Sequence, residues 1–142
     1  YQSQVCLACS LLSGPDILVI DMLDKVTLPD SKHITAQHEK LREIYRRTRD
    51  LATRYECAIF GYSQLSADAE GRVNLNLSMM ENSRTGKAAE ADLMILIGKY
   101  AMIEGSDESD PRRVFNIAKN KISGWHGQIN VMLDGRVARY DD

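Results

Sequence analysis

Cysteine is scarce in this chain, and its few positions do not form a disulfide framework or a structural zinc site. The 142 residues include three cysteines and three histidines. Cys6 and Cys9 form a C-x-x-C pair, but no second pair follows, and a structural zinc site needs four ligands. A redox pair would need a thioredoxin-like sequence context, which is missing here. We therefore interpret the cysteines as free thiols, typical of a reducing compartment.

Long apolar runs and a strong net charge are also missing. A transmembrane helix needs about 20 consecutive apolar residues, and the chain contains neither such a run nor a signal-peptide pattern. We therefore expect a cytoplasmic protein without a membrane contact.

The formal net charge is −2, so any contact with nucleic acid has to come from local patches. Hydrophobic residues make up 44% of the chain and charged residues 27%, as in ordinary globular proteins. At this length we expect a single domain over residues 1–142.

Strand and helix patterns alternate along the first half of the chain. The apolar run at residues 17–20 predicts a buried strand that ends at Asp21. A second buried strand is predicted over residues 57–64, and it ends at Gln64. Between them, apolar side chains at three-to-four spacing predict a long helix over residues 34–55. The charged face of this helix predicts ion pairs one turn apart, namely Glu43–Arg47 and Arg46–Asp50.

The other predicted elements complete an α/β pattern. In chain order they are a helix over 1–13, a long polar loop over 66–80, a short helix or turn over 81–92, a strand over 93–100, an acidic loop over 104–111, a strand over 113–121 and a hairpin over 128–140. The Asp134-Gly135 pair predicts a two-residue turn in that hairpin. Strands that alternate with helices indicate an α/β fold with a largely parallel core.

Polar side chains follow the predicted strands, where open α/β sheets bind their ligands. Asp21 follows the first strand, and a carboxylate there can hold the Mg²⁺ of a nucleotide phosphate. Gln64 ends the second strand and can orient a water or sense a γ-phosphate. Lys119 and Lys121 lie two apart on the last predicted strand, so they share a face and can stabilise charge on a phosphate oxygen. Taken singly, each residue also fits an ordinary role at a strand end or on the surface.

Four motifs in the same order resemble the RecA-like motor domain of DnaB-type hexameric replicative DNA helicases and their phage primase–helicase relatives. The sequence ILVID, residues 17–21, resembles their Walker B strand. The sequence GYSQLSADAEGR, residues 61–72, resembles the next motif, in which a Gln precedes a DNA-facing loop. Residues 82–99 resemble the family's SG-x-IE-x-DAD stretch, and residues 116–142 resemble its closing K-x-R-x-G-x-x-G motif with a terminal hairpin. The resemblance covers nearly the whole chain from Gly14.

The resemblance implies a RecA-like P-loop NTPase core with a mostly parallel sheet flanked by helices and a C-terminal antiparallel hairpin. Asp21 would hold Mg²⁺ through water, and Gln64 would couple the γ-phosphate to the DNA loop. Lys119 and Lys121 would reach the nucleotide of a neighbouring subunit. ATP and Mg²⁺ would be the cofactors; single-stranded DNA, identical subunits of a hexameric ring and a primase would be the partners. In and beside the long polar loop, the predicted DNA contacts are Arg72, Asn74, Asn76, Arg84 and Lys87.

Two departures from the family pattern are visible. The P-loop signature G-x-x-x-x-G-K-[ST] is missing, since Gly86-Lys87 is followed by Ala88 and Glu81 stands where the first Gly would be. The family's P-loop, its strand and a catalytic Glu precede the Walker B strand, so we expect the truncated C-terminal part of a motor, inactive alone. Lys121 stands where the family usually has Arg, and Lys cannot make a bidentate contact.

Two other functions fit the same sequence. A recombination ATPase of the RecA/RadA type is one, because AKNK-x-x-G, residues 118–124, also resembles the KNRFG motif of RadA. A non-catalytic assembly module is the other, because the phosphate-binding loop is missing. Strand exchange would mark the first, and a lack of ATP binding would mark the second.

Overall fold

The computed structural model describes residues 14–28, 34–80, 86–100 and 109–141. Its elements in chain order are strand β1 (Ile17–Ile20), helix α1 (Gln37–Tyr55), strand β2 (Ala58–Gly61), helix α2 (Gly86–Glu90) and strands β3 (Leu93–Lys99), β4 (Arg112–Asn120), β5 (Gly127–Asp134) and β6 (Arg139–Asp141). Short 3-10 turns cover Leu23–Lys25, Ala67–Ala69 and Leu77–Met79. The predicted helix over 1–13 and most of the predicted acidic loop lie outside the described residues.

The described strands form one parallel and one antiparallel sheet. Strands β1 and β2 pair directly in parallel, with Ile20 opposite Gly61. Strands β3, β4, β5 and β6 form an antiparallel sheet in that order. The α/β class is confirmed, but the expectation of a mostly parallel sheet is wrong for the described strands. The connections after β4 and β5 are too short for parallel pairing, because a parallel crossover needs about a dozen residues or more. The C-terminal hairpin is confirmed, although residues 135–138 form its turn instead of two residues.

Helix α1 packs its apolar stripe against the turn that follows β1. Its buried residues Leu41, Ile44 and Tyr45 form one cluster with Leu23. The opposite face carries both predicted ion pairs. Arg47 Nε lies 2.8 Å from Glu43 Oε1, and Arg46 Nη1 lies 2.7 Å from Asp50 Oδ2. This packing holds the turn after Asp21 in place.

The segment of residues 65–80 covers one face of the antiparallel sheet. It contains two 3-10 turns, and an isolated antiparallel bridge between Leu65 and Met80 closes it. Three of its apolar side chains are buried with one from β3 in a second cluster, which consists of Ala69, Leu75, Met79 and Leu96. Gly98 of β3 permits this approach, because a Cβ there would lie 2.3 Å from the carbonyl oxygen of Val73. The polar loop predicted here is therefore a packed segment.

The apolar strands β1 and β2 are half-buried on one face and exposed on the other. Ile17, Val19 and Phe60 are 60%, 58% and 56% exposed. The prediction that these strands are buried on both faces is wrong for this structure, since no described element packs against their outer face.

In the described part of the chain, no helix combines the length and the apolar character that crossing a membrane requires.

Candidate functional site

The carboxyl ends of β1 and β2 meet at one edge of the parallel sheet. Asp21 directly follows β1, and Gln64 follows shortly after β2. The Tyr62 N–H donates to the Ile20 carbonyl at 3.0 Å, and the Leu23 N–H donates to the Tyr62 carbonyl at 2.9 Å. These hydrogen bonds continue the pairing past Asp21. Asp21 and Gln64 are both exposed at this edge, where parallel sheets bind their ligands.

A buried ion pair between Asp24 and Lys87 lies beside this edge. Lys87 Nζ lies 2.9 Å from Asp24 Oδ1 and 3.0 Å from Oδ2. Oδ2 also accepts hydrogen bonds from the Ser63 hydroxyl at 2.7 Å and from the Gln64 backbone N–H at 3.2 Å. The ammonium donates to Ser63 Oγ at 2.7 Å. The Lys87 side chain is completely buried, and that of Asp24 is 15% exposed. Buried charges need this kind of pairing to offset their desolvation.

Tyr45 of helix α1 completes the cluster around the ammonium. Its ring centroid lies 5.8 Å from Lys87 Nζ. Burial raises the pKa of the Tyr45 phenol to about 12; the Asp24 charge adds to this rise, whereas a hydrogen bond with Ser63 opposes it. Tyr45 is therefore neutral near pH 7.

The prediction that Lys87 contacts DNA is corrected by this arrangement. A cation that neutralises a phosphate has to reach the surface, whereas Lys87 is fully buried. The physical reason is that α2 turns this side chain inward, where it compensates the Asp24 carboxylate. Sequence reasoning missed the pair because 63 residues separate its members. The one available signal was a second carboxylate three residues after Asp21.

The other predicted DNA contacts fall into two groups. Arg72, Asn74 and Asn76 are exposed on the 65–80 segment, whereas Arg84 lies outside the described residues. Arg72 and Lys99 help to line an open depression of about 360 Å³. Asn74 Oδ1 accepts a hydrogen bond from a β5 side chain at 2.8 Å. Asn76 Oδ1 accepts a backbone hydrogen bond at 2.9 Å and caps the 3-10 turn that follows it. Arg72 is therefore the one charged member of the described group.

Lys119 and Lys121 both contact the carboxyl end of helix α2. Each ammonium donates to a carbonyl oxygen of its last turn, at 3.4 Å for Lys121. Lys121 also lies 3.6 Å from an Asp92 oxygen, which pairs with Arg49 at 3.0 Å. Burial lowers the pKa of the Lys119 ammonium, and the charge of Lys121 lowers it further. Among the described residues, the hydrogen bonds and ion pairs of these lysines do not involve the Asp21–Gln64 edge.

One carboxylate at this edge, that of Asp21, suits a nucleotide-bound Mg²⁺. Asp21 is exposed, whereas the Asp24 carboxylate is occupied by its ion pair and hydrogen bonds. Mg²⁺ is usually held by one or two carboxylates together with phosphate oxygens and water. Residues 14–28, 34–80, 86–100 and 109–141 contain no cluster of three or more metal-binding side chains. The donor set therefore fits an ion that arrives with a phosphate.

The parallel strand pair and the polar residues after its strands are those of an α/β fold that binds ligands at the carboxyl ends of its strands. The chain belongs to the DnaB-like helicase C-terminal domain family, whose model matches residues 6–142. No match was found among curated proteins.

Two of the solved structures that share the fold match most of this chain. One is an ATPase domain, with a TM-score of 0.75 and 20% identity over 89% of this chain and 44% of the other. The second is a DnaB-like replicative helicase described with its interactions with primase. Its TM-score is 0.73 with 20% identity, over 87% of this chain and 30% of the other. The chain therefore spans less than half the length of either solved chain.

Proposed function

We propose that this chain is the C-terminal part of a hexameric replicative DNA helicase motor, which couples ATP hydrolysis to translocation on single-stranded DNA. The observation that carries this proposal is the direct pairing of β1 with β2. It brings Asp21 and Gln64 to one sheet edge in a chain that belongs to the DnaB-like family. The complete motor would act with a primase and with identical subunits in a ring.

At the nucleotide, Asp21 has the exposure and the charge to hold a metal ion. Mg²⁺, when bound with ATP, supplies charge neutralisation at the phosphates. Gln64 lies at the same edge and can donate its side-chain amide to a phosphate oxygen or to a water. Its backbone N–H is held by Asp24, so its main chain is fixed while its side chain stays exposed.

At the DNA, Arg72 supports the proposal as an exposed cation on the segment that follows Gln64. Lys99 lines the same depression, so two cations lie near each other there. Contacts of this kind neutralise backbone phosphates without reading sequence. The exposed amides of Asn74 and Asn76 can add hydrogen bonds to phosphate or sugar.

Between subunits, we assign Lys119 and Lys121 to the nucleotide of a neighbour. Among the described residues, their contacts are with α2 and Asp92 and not with the Asp21–Gln64 edge of their own chain, which supports action on another subunit's site. A cation supplied from a neighbouring subunit stabilises charge on the transferring phosphoryl group. The contacts with α2 would hold both side chains before that neighbour is engaged.

The full-length protein provides the test. We expect hydrolysis of ATP stimulated by single-stranded DNA, together with unwinding of a forked duplex. Asp21→Asn should lower hydrolysis about a hundredfold or more, because a catalytic metal contributes several kcal/mol. Asp16→Asn, an exposed carboxylate at the other end of β1, should leave it unchanged. Strand exchange without unwinding would favour a recombination ATPase, and a lack of ATP binding would favour an assembly module.

A further inference from the structure

The Asp24–Lys87 ion pair joins three parts of the chain with different proposed roles. Asp24 lies on the turn that follows Asp21. Ser63 and Gln64 lie just after β2, and both donate to Asp24 Oδ2. Lys87 is on helix α2, which follows the 65–80 segment along the chain. One buried cluster therefore joins the candidate metal turn, helix α2 and the candidate γ-phosphate sensor, which directly precedes the candidate DNA segment.

The chemistry of this cluster favours one arrangement of those three parts. An uncompensated buried charge is costly, so Lys87 and Asp24 cannot separate without a strong penalty. The Ser63 hydroxyl accepts from the ammonium and donates to the carboxylate, so it is held by both charges. A shift of α2 would therefore move Ser63, and with it the adjoining Gln64.

We propose that Asp24 and Lys87 are a positioning pair that couples the state of the DNA-binding segment to Gln64. The inference rests on the proposed function, because it assigns these residues to the link between its two sites. Neither residue touches the substrate: Lys87 is buried, and Asp24 acts through Ser63 and the backbone of Gln64. The pair thereby sets where the exposed Gln64 side chain stands relative to Asp21.

The test measures how strongly nucleotide changes DNA affinity in the full-length protein. Fluorescence anisotropy would give the affinity for labelled oligo-dT, with and without a nonhydrolysable ATP analogue. Coupled sites typically change each other's affinity by about 5- to 150-fold. The wild type should show a factor in this range. The double variant Asp24→Asn/Lys87→Met should reduce the factor to below about twofold, while each variant still binds the analogue.

This double variant is chosen to keep the fold. Replacing a buried ion pair by groups of similar volume is often neutral or stabilising. The Asp24→Asn substitution also keeps a side-chain oxygen that can accept hydrogen bonds from the Ser63 hydroxyl and the Gln64 backbone N–H. The matched control is Asp50→Asn/Arg46→Met, which removes an exposed ion pair of α1 and should leave the factor unchanged. Retention of the full factor in a folded Asp24→Asn/Lys87→Met protein would overturn the proposal.

A second variant decides the case if the double variant does not fold. Ser63→Ala removes one hydroxyl and leaves the Asp24–Lys87 ion pair in place. It should lower the melting temperature, because two buried charges each lose one hydrogen bond, but the protein should remain folded at the assay temperature and its coupling factor should fall about threefold or more. An undiminished factor in this variant would overturn the inference. Failure of the wild type to show either DNA-stimulated hydrolysis or nucleotide-dependent DNA affinity would overturn the proposed function itself, and the inference with it.

Discussion

The Asn116 side chain on strand β4 accepts a hydrogen bond from the backbone N–H of Leu75 at 3.3 Å, across a separation of 41 residues. Its amide group donates to the carbonyl oxygens of Val73 at 3.0 Å and of Leu96 at 3.2 Å. Asn116 is only 3% exposed. A single buried amide thus holds the 65–80 segment onto the antiparallel sheet and satisfies backbone groups that water cannot reach.

Removing this amide should loosen the segment. We expect Asn116→Ala to lower the free energy of unfolding by about 1–3 kcal/mol, because buried backbone groups lose their partners. Urea unfolding of the full-length protein followed by circular dichroism measures this change. Asn130→Ala, at an exposed position on the neighbouring strand β5, is the matched control and should change stability by less than about 0.5 kcal/mol. Equal effects of the two substitutions would contradict the anchoring role.

Arg72 should contribute to DNA binding through charge. Arg72→Ala in the full-length protein is expected to weaken binding of single-stranded DNA and to flatten its salt dependence. The slope of log K against log salt should fall by about 0.7 for one lost phosphate contact. Titrations of labelled oligo-dT at several salt concentrations measure both quantities. Arg136→Ala removes a cation that is 89% exposed on the β5–β6 turn and should change neither quantity. An unchanged slope for Arg72→Ala would remove this residue from the interface.

The 142-residue chain alone should not hydrolyse ATP. The backbone N–H groups of a P-loop hold the phosphates in this class of enzyme, and the sequence contains no such loop. Phosphate release by the purified chain, with and without single-stranded DNA, should stay at the level of buffer. The active full-length protein serves as the positive control in the same assay. Sustained DNA-stimulated turnover by the short chain would refute this expectation.

Local patterns predicted the parts of the structure that depend on neighbouring residues. The spacing along α1 predicted its buried stripe and the Arg46–Asp50 pair, because residues one turn apart face each other. The change from apolar to polar residues at Asp21 predicted the end of β1, whereas β2 ends at Gly61, three residues before the predicted end at Gln64. Each of these features depends on residues that lie only a few positions apart in the sequence.

Features that depend on distant contacts were predicted less well. The sequence around Lys87 does not distinguish it from a surface lysine. Its burial depends on the contact with Asp24, which is distant in sequence. The antiparallel pairing of β3 with β4 has no local signature that distinguishes it from a parallel pair. Asn116 likewise looks like an ordinary strand residue until the 65–80 segment covers it.

Glu43 should make stability depend on acid pH. Its carboxylate accepts hydrogen bonds from Arg46 and Arg47, and these hold the pKa of Glu43 at about 2, below the ordinary value of 4.5. A folded-state pKa below the unfolded value means that the stabilisation is fully present above about pH 4.5 and is lost as the pH falls towards 2. The pairs lie at the surface, so we expect Glu43→Gln to cost only about 0.2–1 kcal/mol at pH 7.

Urea unfolding of the full-length protein at several pH values checks this dependence. The difference between wild type and Glu43→Gln should shrink steadily as the pH is lowered below about 4.5. Glu70→Gln, at an exposed position in the 65–80 segment, should give a small difference without this trend. A Glu43 effect that stays constant down to pH 3 would show that the two arginines do not act on the ionised carboxylate.

Lys121 should act only in the assembled ring. Loss of a cation that neutralises a transferring phosphoryl group can cost about 10³- to 10⁵-fold in turnover. In the full-length protein, Lys121→Ala should therefore abolish DNA-stimulated hydrolysis while nucleotide affinity and melting temperature change little. Lys121→Arg should keep or raise activity, because Arg retains the charge and adds a bidentate contact.

Arg49→Ala is the matched control. It removes the other cation that pairs with Asp92, so an equal loss in this variant would mean that Lys121 only holds Asp92.

Mixed rings separate action on a neighbour from action within one subunit. Asp21→Asn subunits lack the proposed metal ligand but keep Lys121, whereas Lys121→Ala subunits have the opposite combination. Where an intact Asp21 meets an intact Lys121 from the next subunit, one complete site forms, and mixing the two inactive proteins should restore part of the turnover. The restored activity should be greatest near equal proportions, because that ratio maximises such interfaces. Native mass spectrometry verifies that mixed rings form. If these rings remain as inactive as either parent, Lys121 does not serve a neighbouring site, and its contacts with α2 and Asp92 account for its position.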